Sequence, residues 1–269
     1  SGATAEVDAS LSVLVSMASS DPYALSQFSS RQLVQVLHTY TALDAVAALQ
    51  WPDLRIQILD DSTDETVQIA RERVRHWTTR GVNITHIRRS SRDGFKAGAL
   101  AYGMTLDDAP WICVFDADFV PDSDFLLRLT PALSDSGVGM VQARWTHLNR
   151  DERLLTRVEA LMLDGHFVIE HTARYRRGLF FNFNGTAGIW RRAAITEAGG
   201  WSHDTVTEDL DLSYRAQLQG WHFVYMDEVT APAELPSTVG SGRGSRGQLC
   251  PAVGDFGDAT GEEGIPIRQ

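Results

Sequence analysis

The chain has 269 residues, 43% hydrophobic and 22% charged, an ordinary globular composition with room for one large α/β domain or two small ones. Lysines and arginines number 24 against 35 acids, a formal charge of -11, which argues against the basic field of a general nucleic-acid binder. No run approaches the ~18 apolar residues of a membrane span, no basic-then-apolar signal pattern opens the sequence, and Cys113 and Cys250 give neither a disulfide framework nor a metal-ligand spacing, so a reducing compartment fits.

Residues 1–43 are rich in Ser, Ala and Thr, with an apolar patch from Leu11 to Met17 and helical spacing from Arg31 to Tyr40. No turn chemistry frames a strand there, so this segment is expected to be weakly structured or atypical. Leu43, Val46, Ala47 and Leu49 suggest a helix face closed by Trp51-Pro52. Leu54 to Leu59 alternates like a strand and stops at Asp60-Asp61-Ser62-Thr63-Asp64-Glu65, where Ser62 and Glu65 fit a capping box for a helix from Thr66 to Trp77. Val82 to Ile87 reads as the next strand, and a helix carrying Ala97, Leu100, Ala101 and Met104 starts near Lys96.

The stretch Trp111 to Phe115 is a short apolar run ending in Asp116-Ala117-Asp118 and Pro121, the pattern of a buried parallel strand. A helix near Asp122 to Leu133, a strand from Val138 to Trp145 and a long amphipathic segment around Leu154 to Val168 follow. Leu179 to Trp190 is strand-like but broken by Asn184-Gly185-Thr186-Ala187-Gly188, where glycines mark close backbone approach or a bulge. Thr207 to Asp211 opens a helix through Leu218 that Gly220 stops, and from Ser237 a glycine-peppered stretch reads as a disordered tail. The alternation of strand and helix predicts a mostly parallel α/β sheet over 44–236, between an atypical segment 1–43 and the tail 237–269.

Three acidic groups stand at element ends: Asp60/Asp61, Asp116/Asp118 and Glu208/Asp209. In open α/β sheets ligands bind past the carboxyl ends of the strands, where paired carboxylates suit a hard divalent cation shared with a phosphate. With Lys96, Asp116 and Asp118 can answer the charge of a nucleotide diphosphate, Asp60 or Asp61 can accept hydrogen bonds from base and ribose, and Asp209 can take a proton from an attacking hydroxyl. Each has a plainer reading: a helix dipole favours acids in the first turn, an Asp pair can make a turn, and Lys96 can be a solvated helix start. The arginines at 71, 73 and 75 read as a solvated face, and Arg174, Arg176 and Arg177 as the same or as a phosphate contact. His166 and His171, five apart, do not share an α-helical face and receive no role.

Together, Ile58 to Asp64, Lys96-Ala97-Gly98-Ala99-Leu100, Phe115-Asp116-Ala117-Asp118, Asn184 to Gly188 and Thr207-Glu208-Asp209 resemble, in order, a processive family 2 glycosyltransferase of the cellulose-synthase-like branch that makes β-glucans or β-mannans. The resemblance runs from about Leu43 to Pro236 and implies a GT-A fold, a UDP- or GDP-sugar donor (UDP-glucose or GDP-mannose), Mg²⁺ or Mn²⁺, and inverting transfer to a growing polysaccharide acceptor. It places Asp60 and Asp61 at the nucleoside, Lys96 and Asp116 at the nucleotide, Asp118 with Asp116 at the metal, and Asp209 as base. Glu208 and the loop holding Gly185 and Thr186 would line the acceptor end. The family is membrane-embedded with a cytoplasmic catalytic domain, so a membrane would be met only through segments outside this chain.

Two departures stand out. The family begins with an apolar strand ending in Tyr/Phe-Asn-Glu, which residues 1–43 do not show, and without it a sheet strand would be left unpaired. After Pro236 the glycine-rich tail replaces the family's Gln-x-x-Arg-Trp motif, as a frameshift would produce, which argues against processive synthesis. The alternatives are a nucleotide-sugar-binding remnant without turnover, or a haloacid-dehalogenase-like phosphatase using Asp116 as nucleophile and Asp118 as acid/base.

Overall fold

The computed structural model describes residues 9–17, 40–202 and 207–236. Seven strands form one sheet: β1 (Leu11–Met17), β2 (Leu54–Asp60), β3 (Ile84–Ile87), β4 (Trp111–Asp116), β5 (Val138–His147), β6 (Gly188–Arg191) and β7 (His222–Ala233), in the order β3-β2-β1-β4-β6-β5-β7. Only β6 runs against its neighbours. This is the mostly parallel α/β sheet that the strand–helix alternation predicts.

The largest difference from the sequence reading is β1. Leu11–Met17 is not weakly structured; it lies between β2 and β4, paired in parallel with both. Val13 and Val15 enter the core on one side of the sheet and Leu14 the core on the other. A strand buried on both faces shows no alternation of apolar and polar residues and needs no adjacent turn when its partners are distant in sequence. The expected unpaired strand is therefore absent from this part of the sheet: β1 takes that place.

Helices cover both faces. Residues 40–47 are helical (α1), and α2 (Thr66–Thr78), α3 (Phe95–Met104) and the short α4 (Phe125–Leu129), continued by a 3₁₀ turn at Thr130–Ser134, follow. The Ser62/Glu65 capping box does not form: Glu65 is itself the cap position without a side-chain bond, and the Thr66 N–H donates to Asp64 Oδ1 at 3.0 Å. Nor is Arg73 merely solvated, for its guanidinium binds the Asp44 carboxylate beside the Trp77 ring. The third strand starts two residues later than expected, at Ile84.

After β5 one long helix comprises α5 (Leu154–Asp164), a π-helical segment (Gly165–His171) and α6 (Thr172–Arg176). The expected strand from Leu179 narrows to β6, and residues before Gly188 form a loop across the sheet edge. The short α7 (Arg192–Glu197) leads to α8 (Glu208–Leu218), with the predicted bounds, and Gly220 ends its turn at φ +96°. Cys113 is buried in β4, as expected of a small apolar residue. Among the described residues no helix is long and apolar enough to cross a membrane. The predicted tail, 237–269, and its Cys250 lie outside the described residues.

Candidate functional site

The carboxyl ends of β2, β1 and β4 share one edge, and there the acids predicted from the sequence divide into two groups. At β2, protein partners satisfy the charge. Asp60 is buried, accepts a 2.8 Å hydrogen bond from the Ser62 N–H, and lies 2.7 Å from His86 Nε2. Burial alone pushes its pKa up, but the bonds from His86 and Ser62 outweigh it and hold Asp60 below the usual carboxylate range. Asp61 is gripped in two-pronged fashion by Arg89, whose Nε is 3.1 Å from Oδ1 and whose Nη2 binds Oδ2. The same guanidinium reaches the carbonyls of Asp93 (2.9 Å) and Phe95 (3.0 Å), tying this strand end to the start of α3.

Between β4 and α8 the charge is left unbalanced. Lys96 Nζ is 2.5 Å from Asp116 Oδ1. Burial would lower the Lys96 pKa, but Asp116, Glu208 and Asp209 together raise it above the ordinary lysine value. Asp118 is pushed up to about 7, by the protein crowding its carboxyl and then by Asp116. The residue as a whole remains exposed at the mouth of the site, so solvent screens part of that push. Asp209 is pushed up to about 6 by burial and by neighbouring Glu208, against the pull of Lys96.

The loop before β6 brings these groups together. Gly185 has φ +78°, and a β-carbon built on it would stand 3.1 Å from Asp209 Oδ2 and 3.4 Å from Lys96 Nζ. This resolves the glycine ambiguity at Gly185 in favour of close approach. The same holds at Gly188, where a β-carbon would lie 2.7 Å from the Val141 carbonyl. Thr186, fully buried, accepts the Asp116 N–H through Oγ1 at 2.9 Å, so its hydroxyl holds the β4 end. Phe95 (φ 46°) and Ala187 (φ 55°), the two non-glycine residues with positive φ among the described residues, flank this constellation. Backbone strain of that kind concentrates at working sites.

Several residues that build the site carried no motif. Gln142, buried in β5, donates to the Thr186 and Ala187 carbonyls (both 3.1 Å) and accepts the Asn184 N–H (3.0 Å). On α8, Ser213 Oγ accepts the Phe183 N–H (2.8 Å) and Gln217 bonds both ways with the Phe181 backbone. Spaced i, i+4, they stand in for a strand partner and lock the loop to the helix bearing Asp209. An isolated Gln in an apolar strand, and two polar residues on the Leu212/Ala216 face, are the signals that could have found them.

His166 and His171 also belong to this frame. A π-helical turn brings residues five apart together, and the two rings are 4.4 Å apart. His166 Nε2 is 2.9 Å from Asn184 Oδ1, while Asn184 Nδ2 is 2.9 Å from His171 Nε2. Burial, and then His166, push His171 down to about 3, so it is neutral; its Nε2 also lies 3.1 Å from the Asn182 carbonyl, and the ring tautomer sets which of the two it bonds.

Among the described residues no three acid, histidine or cysteine side chains cluster tightly enough to cage a metal alone. Two carboxylates, one of them protonating unusually easily because of burial and then because the other is near, still suit a divalent cation that takes its remaining ligands from water and substrate phosphate. The residues present fit that ion.

Comparison with known proteins agrees with this geometry. The profile of the family described as "Glycosyltransferase like family 2" matches residues 34–243. Glucomannan 4-beta-mannosyltransferase 1 of Oryza sativa subsp. japonica is 44% identical over 221 residues, 80% of this chain and 42% of that protein. Glucomannan 4-beta-mannosyltransferase 2 of Arabidopsis thaliana is 46% identical over 204 residues, 73% of this chain and 38% of that protein. The chain thus spans less than half the length of these relatives. Among solved structures, the mannosyltransferase PcManGT from Pyrobaculum calidifontis, in complex with GDP-Man and Mn²⁺, superposes with a TM-score of 0.63 at 19% identity, covering 86% of this chain and 58% of that one. The likeness extends to fold alone, and that fold is GT-A.

Proposed function

Because this chain belongs to glycosyltransferase family 2, we propose that it transfers a mannosyl group from GDP-mannose, with inversion, to a growing β-linked mannan or glucomannan. The observation that carries this reading is the meeting of Asp116, Asp118, Lys96, Gly185 and Asp209 at one sheet edge. GDP-mannose is favoured over UDP-glucose because the relatives are named as mannosyltransferases and PcManGT was solved with GDP-Man.

Asp61 would accept hydrogen bonds from the nucleoside. Asp60, enclosed by His86 and Ser62, would border it and hold the strand end. Lys96 would pair with the diphosphate, and Asp116 would contact the nucleotide. A Mg²⁺ or Mn²⁺ ion held by Asp118 with Asp116 would offset the charge of the leaving diphosphate. Glu208, Gly185 and Thr186 would shape the acceptor end. Asp209, with a pKa near 6, is ionised at neutral pH yet basic enough to take the acceptor hydroxyl proton. The hydroxyl oxygen then bonds to the sugar's anomeric carbon from the face opposite the breaking bond to phosphate, and the electrons of that bond leave with the diphosphate.

The test is transfer itself: labelled GDP-mannose or UDP-glucose, Mn²⁺ and β-manno-oligosaccharide primers. Extension from GDP-mannose into a product cut by endo-β-mannanase, and lost in Asp209→Asn, supports the reading. Extension from UDP-glucose alone reassigns the donor. Nucleotide binding without transfer favours the binding remnant. Family membership removes the phosphatase reading.

A further inference from the structure

The loop that carries Gly185 to the Asp209 carboxylate costs free energy to hold. Gly185 has φ +78°, and Ala187, two residues on, has φ 55°. A left-handed alanine persists only where its surroundings over-determine it. At the far end of the loop the Ala187 N–H donates to the Val114 carbonyl at 2.8 Å, and the Thr186 hydroxyl accepts the Asp116 N–H. At the near end the Asn184 side chain is the anchor, and both ends of its amide meet the π-helical turn. Oδ1 lies 2.9 Å from His166 Nε2, and Nδ2 lies 2.9 Å from His171 Nε2. An α-helix would not set residues 166 and 171 side by side, so the widened turn is what presents two rings to one amide.

The neighbours fix which atom donates. Asn182 Nδ2 lies 3.2 Å from the Phe183 carbonyl and 3.2 Å from Asn184 Oδ1. Turning the Asn182 amide over would set its oxygen against the Phe183 carbonyl. Turning the Asn184 amide alone would set two NH₂ groups together. Asn184 Oδ1 is therefore an acceptor, and His166 donates to it from Nε2. Behind the ring, His166 Nδ1 lies 3.0 Å from Glu170 Oε2, and Arg174 Nε donates to Glu170 Oε1 at 2.9 Å. Burial pushes the Glu170 pKa up, but the bonds from His166 and Arg174 outweigh it and hold the carboxyl below its usual range. Arg174 Nη1 in turn donates to the Phe180 carbonyl at 3.3 Å. His166, Glu170 and Arg174, each four residues apart, form a strap along the helix that grips the following chain at Phe180 and again at Asn184.

We propose that His166 is a positioning residue for sugar transfer: by donating to Asn184 it fixes the loop that sets Gly185 against Asp209, and so the acceptor hydroxyl against its base. The effect on rate rests on the transfer reading above, whereas the hold on the loop is a property of the chain alone. The strap holds the loop from the helix side, while Gln142 holds it from the sheet, accepting the Asn184 N–H at 3.0 Å. A shift of the loop would move Gly185, whose α-carbon closely approaches both the Asp209 carboxylate and Lys96 Nζ.

The test compares His166→Leu, which removes both ring nitrogens, with His166→Gln, whose amide nitrogen can take the place of Nε2 and donate to Asn184. In His166→Leu, kcat at saturating GDP-mannose should fall about tenfold to a hundredfold, the range for misplaced reacting groups, with calorimetric GDP affinity in Mn²⁺ unchanged. His166→Gln should recover most of that loss. Amide exchange across residues 182–187, read by mass spectrometry, should be at least about tenfold faster in His166→Leu, with exchange in β4 unchanged and the Gln variant close to the parent. Asn184→Ala breaks the same bond from the loop side, and carries the comparison should His166→Leu fail to fold. The double variant should be no slower than the slower single one, because both remove one contact. Parent-like kcat and loop exchange in His166→Leu would overturn the proposal. So would a Gln variant no better than the Leu variant, or losses that multiply in the double variant. A parent that binds GDP but transfers no sugar overturns the transfer reading instead, and loop exchange then decides whether His166 holds the loop.

Discussion

The ends of β2 and β4 each carry two acids at the same edge of the sheet, but the protein handles their charge in opposite ways. At β2, Asp60 and Asp61 are enclosed and matched by His86, Ser62 and Arg89, and Asp60 is held below its ordinary pKa. At β4 and the start of α8, Asp116, Asp118, Glu208 and Asp209 crowd a single lysine, and two of them are held well above their ordinary pKa. The first arrangement is complete within the chain and supports its stability. The second concentrates negative charge around one lysine, as expected where charge is reserved for chemistry, and the proposed cation would offset it. Removing a side chain that only holds the first end, such as His86, should therefore cost mainly stability, and removing one at the second should cost function.

The largest expected effect is that of Asp209→Asn. It should lower kcat by about 10²–10⁴ while leaving nucleotide binding and melting temperature nearly unchanged, the range for loss of a general base. Gly185→Ala should lower kcat by about tenfold to a hundredfold. Its new methyl group would meet Asp209 Oδ2, and its φ of +78° disfavours any side chain, so misplacement rather than loss of a group is tested. Comparison of kcat at saturating donor with calorimetric nucleotide affinity separates the two.

The pH profile gives a sharper and smaller test. The base must be ionised, so the rate should fall as pH drops through about 6, where Asp209 takes up its proton. Glu208 is one of the causes that raise Asp209, so Glu208→Gln should move that midpoint to lower pH. An unmoved midpoint would detach the limb from Asp209.

The smallest effect on activity belongs to the matched end. His86→Ala should cost about 1–3 kcal/mol of stability, the penalty for stripping a hydrogen bond from a buried group, and change kcat little. Asp60 has a lower pKa folded than unfolded, so its contribution is present above the unfolded value of about 3.9 and fades as pH falls through the folded one. Denaturation of parent and variant should accordingly differ most at neutral pH and converge in acid.

Residues were legible in the sequence where chemistry is local. Asp116, Asp118, Lys96 and Asp209 sit at element boundaries visible from apolar runs and helix starts, and α8 was bounded correctly because an acidic first turn and a glycine frame it. What was not legible depends on distant partners. β1 is recognisable only through β2 and β4, its neighbours in the sheet. Gln142, Ser213 and Gln217 matter only because a loop from residues 181–187 folds onto them. The His166–His171 pair is hidden for a geometric reason: residues five apart do not meet at α-helical spacing, but do where the helix widens into a π-turn.

The most direct test of the central claim, that the acids at β4 await a cation and a nucleotide, is calorimetry of GDP and UDP with and without Mn²⁺, on the parent chain and on Asp118→Ala. The account predicts that GDP binds with Mn²⁺ at least about tenfold more tightly than without it. It also predicts that the Mn²⁺ dependence disappears in a folded Asp118→Ala. Nucleotide binding of equal strength with and without the ion, or an unchanged Mn²⁺ dependence in the variant, would contradict it.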